Sequence, residues 1–264
     1  MSGVRVRLGR LFRKESGSTF IVAIDHGLTT GVQPGAERAV DTVERIVSCE
    51  PDGVLLSPGL LSAAGHLFAF RGAPSPILRA DFLLTDERVK ELGEQHRVLC
   101  SPQDAMDLGA DAMTMFLVLG VEEGQMFADN ARAVAKAARA AERIGIPLIV
   151  ETVLWGSRIT DPRDPNLLAF GCRMAAELGA HAIKTEYTGD TESMASIVEG
   201  CPVPVMVLGG PRIDSEEDLI ESTRGAMAAG AKGVIYGRNI WQSDDPVQIS
   251  ANIRDAVHNS STVK

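Results

Sequence analysis

Leu108-Gly109-Ala110-Asp111-Ala112, Leu178-Gly179-Ala180-His181-Ala182 and Ala229-Gly230-Ala231-Lys232-Gly233 repeat one pattern. Each closes a stretch patterned as a helix and opens a short apolar run. Glycine adopts the left-handed conformation that stops a helix, and small neighbours let the chain turn tightly into a strand. A helix stop followed at once by a strand start, recurring along a chain, describes β/α units.

Working outward from these points, eight short runs read as strands: 20–25, 53–57, 76–80, 112–117, 147–152, 180–185, 203–208 and 233–237. Most are rich in Val, Ile and Leu without strict alternation, as expected of parallel strands covered on both faces. Helical patterns separate them, clearest over 124–144 with Gly145 as its stop, then over 166–178 and 215–229. The last opens on Asp214-Ser215-Glu216-Glu217, acids that suit the positive end of a helix dipole. With no break in composition, the prediction is one closed (β/α)8 TIM barrel over 20–264, preceded by a basic extension over 1–19. The length of 264 residues suits that fold, which takes about 250. A doubly wound open sheet is the alternative, but no early Gly-x-Gly-x-x-Gly supports it. The extension carries Arg5, Arg7, Arg10, Arg13 and Lys14. It reads as an amphipathic helix closing the barrel floor or meeting a neighbouring subunit, or as plain solvated surface.

A formal net charge of -9 argues against nucleic acid as a partner. It leaves room for an anionic small molecule, because a phosphate site needs only local N–H groups and one or two cations. No apolar run reaches the roughly 20 residues that span a membrane, and no signal-like segment follows the basic start. A cytoplasmic protein is expected. Cys49, Cys100, Cys172 and Cys201 form no metal-binding or redox spacing and read as reduced, structural thiols.

Barrel chemistry lies at the C-terminal ends of the strands. This directs attention to Asp25, Ser57, Arg79, Glu151, Lys184, Gly209 and Gly237. Lys184 sits among residues that normally exclude charge, and burying an ammonium is costly. A neutral lysine in a barrel mouth attacks carbonyls to form a Schiff base; a rim lysine reaching solvent is the plain alternative. By the period of two, Ala182, Lys184 and Glu186 share the inward face. Glu186 either receives a proton there or pairs with the ammonium. Asp25, followed by His26 at the rim, either orients substrate and moves protons or caps a loop. Glu151 reads as a general acid/base with a raised pKa, or as the ionic partner of Lys184 or Arg79. Arg79 either binds a substrate anion or neutralises these acids. Gly209-Gly210-Pro211 and Gly237-Arg238-Asn239 follow the last two strands, where barrels commonly hold phosphate.

These residues together resemble the class I aldolase family. That family includes the archaeal-type fructose-bisphosphate aldolase, the aminodideoxyheptulosonate synthase and the thiolase that degrades phosphorylated autoinducer-2. The similarity runs from about residue 20 to 257. It rests on Ile24-Asp25-His26-Gly27, Ile183-Lys184-Thr185-Glu186-Tyr187-Thr188-Gly189-Asp190, Leu208-Gly209-Gly210-Pro211 and Tyr236-Gly237-Arg238-Asn239-Ile240-Trp241-Gln242.

The resemblance implies an aldehyde-lyase with Lys184 as the Schiff-base lysine and Asp25 assisting carbinolamine and proton-transfer steps. Gly209, Gly210, Gly237 and Arg238 would hold the phosphate of a dihydroxyacetone-phosphate-like donor, with His26 and Arg79 beside it. It implies a covalent imine in place of a cofactor, no metal, and a homo-oligomer, pentameric or decameric. The alternatives are acyl or ketose-fragment transfer of the thiolase or synthase type, and, further off, a phosphosugar isomerase with Glu151 as base or a non-catalytic phosphosugar-binding barrel. One departure stands out. Where the archaeal aldolase pattern has a proton-transferring Tyr on the fifth strand, this chain has Val153, so either Glu151 takes the task or the reaction differs.

Overall fold

The three glycines of the repeated pattern take positive φ: Gly109 at 79°, Gly179 at 104° and Gly230 at 93°. Each thereby releases the chain from a helix into the next strand. The computed structural model describes residues 2–213 and 215–259, so Met1, Asp214 of the acidic cluster and the end of the barrel segment at 260–264 lie outside the described residues.

Eight parallel strands close into a barrel. They are β1 Thr19–Ala23, β2 Gly53–Leu56, β3 Ser75–Arg79, β4 Ala112–Leu119, β5 Leu148–Leu154, β6 Ala182–Thr185, β7 Val205–Leu208 and β8 Gly233–Tyr236. They pair in chain order, and β8 returns to β1 with Gly233 opposite Thr19. Every strand is followed by a helix, among them Gly124–Ile144 after β4, Pro165–Glu177 after β5, Thr191–Glu199 after β6 and Glu216–Ala228 after β7. The architecture matches the predicted (β/α)8 barrel. The strand ends differ by a few residues. β4 and β5 run on to Leu119 and Leu154 because Val118 pairs with Val153 and Leu119 with Leu154 above the expected rim. Asp25 lies just past the end of β1.

The pleat divides each strand between two cores. Phe20, Val22, Val54, Leu56, Leu78 and Met113 face the helices. Ile21, Leu55, Ile77, Ala112, Ile149, Ala182, Met206 and Ile235 fill the barrel interior, joined from below by Leu11. Leu11 ends the helix Ser2–Leu11 and is fully buried, so this helix closes the barrel floor. A Cβ at Gly3 would stand 2.9 Å from the Gly145 backbone, so glycine allows the helix to lie flat against the bottom loops. Two of its arginines are tied down there: Arg7 Nη1 donates to Gly145 O at 2.9 Å, and Arg10 Nη1 to Asp111 Oδ1 at 2.7 Å.

The floor generates a stability prediction. Leu11→Ala should lower the unfolding free energy by about 2–5 kcal/mol, the cost of a core leucine cavity. Val6→Ala, at an exposed position of the same helix, should change it by less than about 0.5 kcal/mol. Urea titration checks both; equal midpoints for the two variants would refute the plug.

Candidate active site

Above the apolar floor the inward face changes character within one step of the pleat. On β3, Ile77 gives way to Arg79; on β5, Ile149 to Glu151; on β6, Ala182 to Lys184. Glu151 and Lys184 are Cα partners across the β5–β6 ladder. Lys184 Nζ lies 2.9 Å from Glu151 Oε1. The other Glu151 oxygen accepts from Arg79 Nη2. Arg79 Nε donates to Asp25 Oδ2 at 2.8 Å, and Nη1 faces Asp81 Oδ1 at 3.5 Å. The guanidinium carbon sits 3.9 Å over the Phe116 ring. The result is a continuous chain of alternating charge, with Arg79 only 1% exposed.

Burial alone would raise the pKa of both acids, Asp25 and Glu151, but the cations outweigh it. Asp25 is pulled down to about 2 by Arg79 and then Lys184. Glu151 is held below its ordinary value by Lys184 and Arg79. Burial disfavours charge on Arg79 too, yet Glu151, Asp25 and Asp81 push its pKa up. The geometry bears on the two readings open for each of these residues. Glu151 does not carry a raised pKa, because it faces two cations. Arg79 lines the same cavity, but its groups face three carboxylates, which supports the alternative that it neutralises the acids.

A cavity of about 290 Å³ opens above this belt. Phe116, Val153 and Trp155 line one side, and Gly209, Gly210, Gly237 and Arg238 line another. The glycine loops are braced from behind. Asn239 Nδ2 donates to Gly209 O at 3.0 Å, its Oδ1 accepts from Ile213 N at 2.7 Å, and Arg238 Nη2 donates to Gly210 O at 3.0 Å. Arg238 Nε is buried with no hydrogen-bond partner among the described residues. Gly237 is required by packing: a Cβ there would lie 2.5 Å from His26 Cε1 and 2.8 Å from Ala23 O. His26 is wedged against Trp241, ring edge to face at 5.5 Å, and Trp241 Nε1 donates to Ala23 O at 3.0 Å. Burial lowers the His26 pKa against the opposing pull of Asp25. Lys184, Asp25, Glu151, His26 and both glycine loops therefore meet at one cavity, and Ser57 instead caps the helix Pro58–Ala64.

Sequence reasoning missed the support beneath Arg79. After β3 the chain forms an antiparallel hairpin, Asp81–Leu83 against His96–Val98. Asp81 Oδ2 accepts from His96 Nε2 and from Phe116 N, each at 2.8 Å. Asn130 Nδ2 donates to Phe116 O, and its Oδ1 accepts from Val118 N, each at 2.9 Å. Three-residue strands are too short to show periodicity; the signal was Asp81, an acid two residues past Arg79 in an apolar context. Glu186 also reaches the cavity. It makes no hydrogen bond or ion pair among the described residues, and burial lifts its pKa to about 7, with Arg163 opposing that rise.

Residues 19–243 match the DeoC/LacD family aldolase pattern. The chain belongs to this family. An uncharacterized aldolase of Saccharolobus solfataricus is 31% identical over 266 residues, covering 100% of this chain and 97% of that protein. The 2-amino-4,5-dihydroxy-6-oxo-7-(phosphonooxy)heptanoate synthase of Streptomyces griseus is 34% identical over 259 residues, 97% of this chain and 91% of that protein. An archaeal fructose-1,6-bisphosphate aldolase, solved with its catalytic lysine covalently bound to the carbinolamine intermediate, superimposes with a TM-score of 0.82. It is 26% identical, and the match covers 97% of this chain and 99% of that one. As a DeoC/LacD family member the chain is an enzyme of the class I, Schiff-base aldolase type.

The charge chain sets an acid limit on stability. Asp25 has a folded pKa of about 2 against an ordinary 3.8, so its ionised form stabilises the fold above that ordinary value. This contribution, about 2 kcal/mol, should be lost as pH falls from about 4 through about 2. Arg79→Met should remove the window and cost about 3–5 kcal/mol at neutral pH by stranding buried carboxylates. Urea midpoints measured between neutral pH and pH 2 test this; a variant as stable as the parent would show that the acids do not depend on Arg79.

Proposed function

We propose that this chain makes or cleaves a carbon–carbon bond in a phosphorylated ketose or related keto compound, through an imine on Lys184. The observation that carries this reading is a buried lysine paired with Glu151 at the base of a cavity whose opposite wall is two glycine loops and Arg238.

The residues divide the work as follows. Lys184 hands a proton to Glu151, 2.9 Å away, and the freed amine attacks the substrate ketone. Loss of that proton removes one of the two cations holding Glu151 down, so the acceptor becomes more basic as it is needed. Glu151 returns that proton to the carbinolamine hydroxyl, which leaves as water, and Asp25 and the regenerated Glu151 carboxylate, both fixed by Arg79, then place negative charge beside the iminium. The iminium is the electron sink for carbon–carbon cleavage, so the chemistry asks for neither metal nor organic cofactor. The loops at Gly209, Gly210 and Gly237, with Arg238, receive the phosphate.

The names of the relatives support the same donor. The compound in the synthase's name carries a ketone at carbon 6 beside a phosphorylated carbon 7, with hydroxyls at 4 and 5. Fructose 1,6-bisphosphate likewise has a ketone beside a phosphorylated carbon. Cleavage of the aldol between the hydroxylated carbons α and β to that ketone releases a dihydroxyacetone-phosphate-like fragment in each case. A second reading, fragment transfer to an amino-aldehyde or thiol acceptor, is favoured by Val153, whose side chain has no proton to move. Product analysis with and without an amino-aldehyde or coenzyme A separates the two. A homo-oligomer in the cytoplasm completes the proposal. Among the described residues no helix is long and apolar enough to cross a membrane, and light scattering would give the subunit count.

Borohydride reduction with dihydroxyacetone phosphate, followed by peptide mass analysis, should place an adduct on Lys184 and none in Lys184→Met. Arg238→Ala should raise KM for the same ligand roughly 10- to 100-fold, the loss of a charged hydrogen bond, with trapping retained at saturation. An adduct on another lysine would refute the assignment.

A further inference from the structure

We propose that Glu186 is the catalytic residue that moves the proton at the substrate carbon, an inference that rests on the imine reading above. Glu186 lies two residues after Lys184, one residue past the end of β6, about 7 Å further along if the chain stays extended. It lines the cavity that holds Lys184, Gly210 and Val153. Its Oε2 lies 3.8 Å from where a Cβ at Gly210 would stand, so the carboxyl reaches the phosphate-loop side of the cavity. Continuing the register that sets Glu151 opposite Lys184 and Thr152 opposite Thr185 brings Val153 across from Glu186. The pair of positions above the imine therefore holds one group that ionises and one that does not.

The other acids are committed. Asp25 is bonded to Arg79, and Glu151 to both Arg79 and Lys184. Glu186 alone among the three has no hydrogen bond or ion pair among the described residues. Burial raises its pKa to about 7, and Glu151 adds to that rise. Arg163 from the segment after β5, Lys184 below it and Arg238 after β8 pull the other way. Asp190, Asp218 and Glu221 line the adjoining cavity, which Glu186 also borders. A carboxyl poised near neutrality both takes and returns a proton at working pH.

With Lys184 nitrogen double-bonded to the former ketone carbon, the Glu186 carboxylate removes a proton from the neighbouring carbon. The C–H electron pair becomes the enamine C=C bond, and the C=N π pair moves onto nitrogen. The enamine carbon bonds to an aldehyde carbon, restoring the iminium, and the aldehyde oxygen takes the proton from Glu186. Water then releases the product and frees Lys184.

The test uses the full chain with dihydroxyacetone phosphate in deuterated water, so no acceptor need be known. Imine is read by borohydride trapping and mass analysis, and proton removal by loss of the substrate C–H signal in proton NMR. Glu186→Gln should trap adduct on Lys184 within about threefold of wild type yet lose about 100-fold or more of the exchange rate. Glu186→Asp should recover part of it. The wild-type exchange rate should rise with pH through a single ionisation near 7, and Glu186→Gln should lack that rise. Glu186→Gln/Val153→Tyr should regain exchange over the single variant, since a phenol then faces the same carbon. Unchanged exchange in Glu186→Gln, with adduct formed, overturns this inference alone. Loss of adduct together with exchange also overturns it, by assigning Glu186 to imine formation. A wild type that traps no adduct overturns the parent reading and this one with it.

Discussion

The chain of charge from Lys184 through Glu151 and Arg79 to Asp25 and Asp81 is the interaction on which the site depends. Moving single ions out of water costs several kcal/mol each, and only continuous pairing offsets it. The barrel supplies the pairing through register: Glu151 and Lys184 are opposite one another on neighbouring strands, and Phe116, opposite Glu151, puts its ring under the guanidinium. No member can be removed without stranding another. The site is thus specified as a set, and Arg79, which has no solvent contact of consequence, holds both acids in place for the lysine.

That set is possible because of what lies below it. Leu11, Ile77, Ile149, Ala182 and Met206 fill the barrel beneath the belt and exclude water from under it. A dry floor strengthens each ion pair and makes an unpaired group expensive. The basic N-terminal segment takes part in this indirectly. Its arginines anchor on loops at the bottom so that one leucine can be held inside, which links residues near the start of the chain to electrostatics near Lys184.

Periodicity and helix stops made the fold legible, because both are local: Gly109, Gly179 and Gly230 report a φ requirement that no distant residue alters. The inward direction of Lys184 was legible for the same reason, since the pleat has a period of two. What Glu151 and Arg79 do was not. Their state depends on which charges lie across the barrel, and a residue read as a raised-pKa acid becomes a low-pKa counter-ion once two cations face it. The Asp81–His96–Asn130 support was hidden in a different way. Its hairpin strands are shorter than any pattern, and its members are brought together only when the segment folds back under Phe116.

Glu151 and Glu186 show how one scaffold separates two carboxyls. They stand one pleat step apart in height, Glu151 on β5 and Glu186 just past the end of β6, and both line the cavity that holds Lys184. Glu151 lies in the belt, where Lys184 and Arg79 hold it ionised; Glu186 lies above it, buried enough to resist ionisation but beyond contact with either cation. The lower acid therefore suits exchange with Lys184 and counter-charge to an iminium, and the upper acid suits proton exchange at the substrate carbon. Opposed environments of this kind are what assign distinct roles to chemically identical groups. A tyrosine at Val153 would make the upper acid redundant. A valine there leaves the strand facing Glu186 without a titratable group and gives the glutamate room to be the one that titrates.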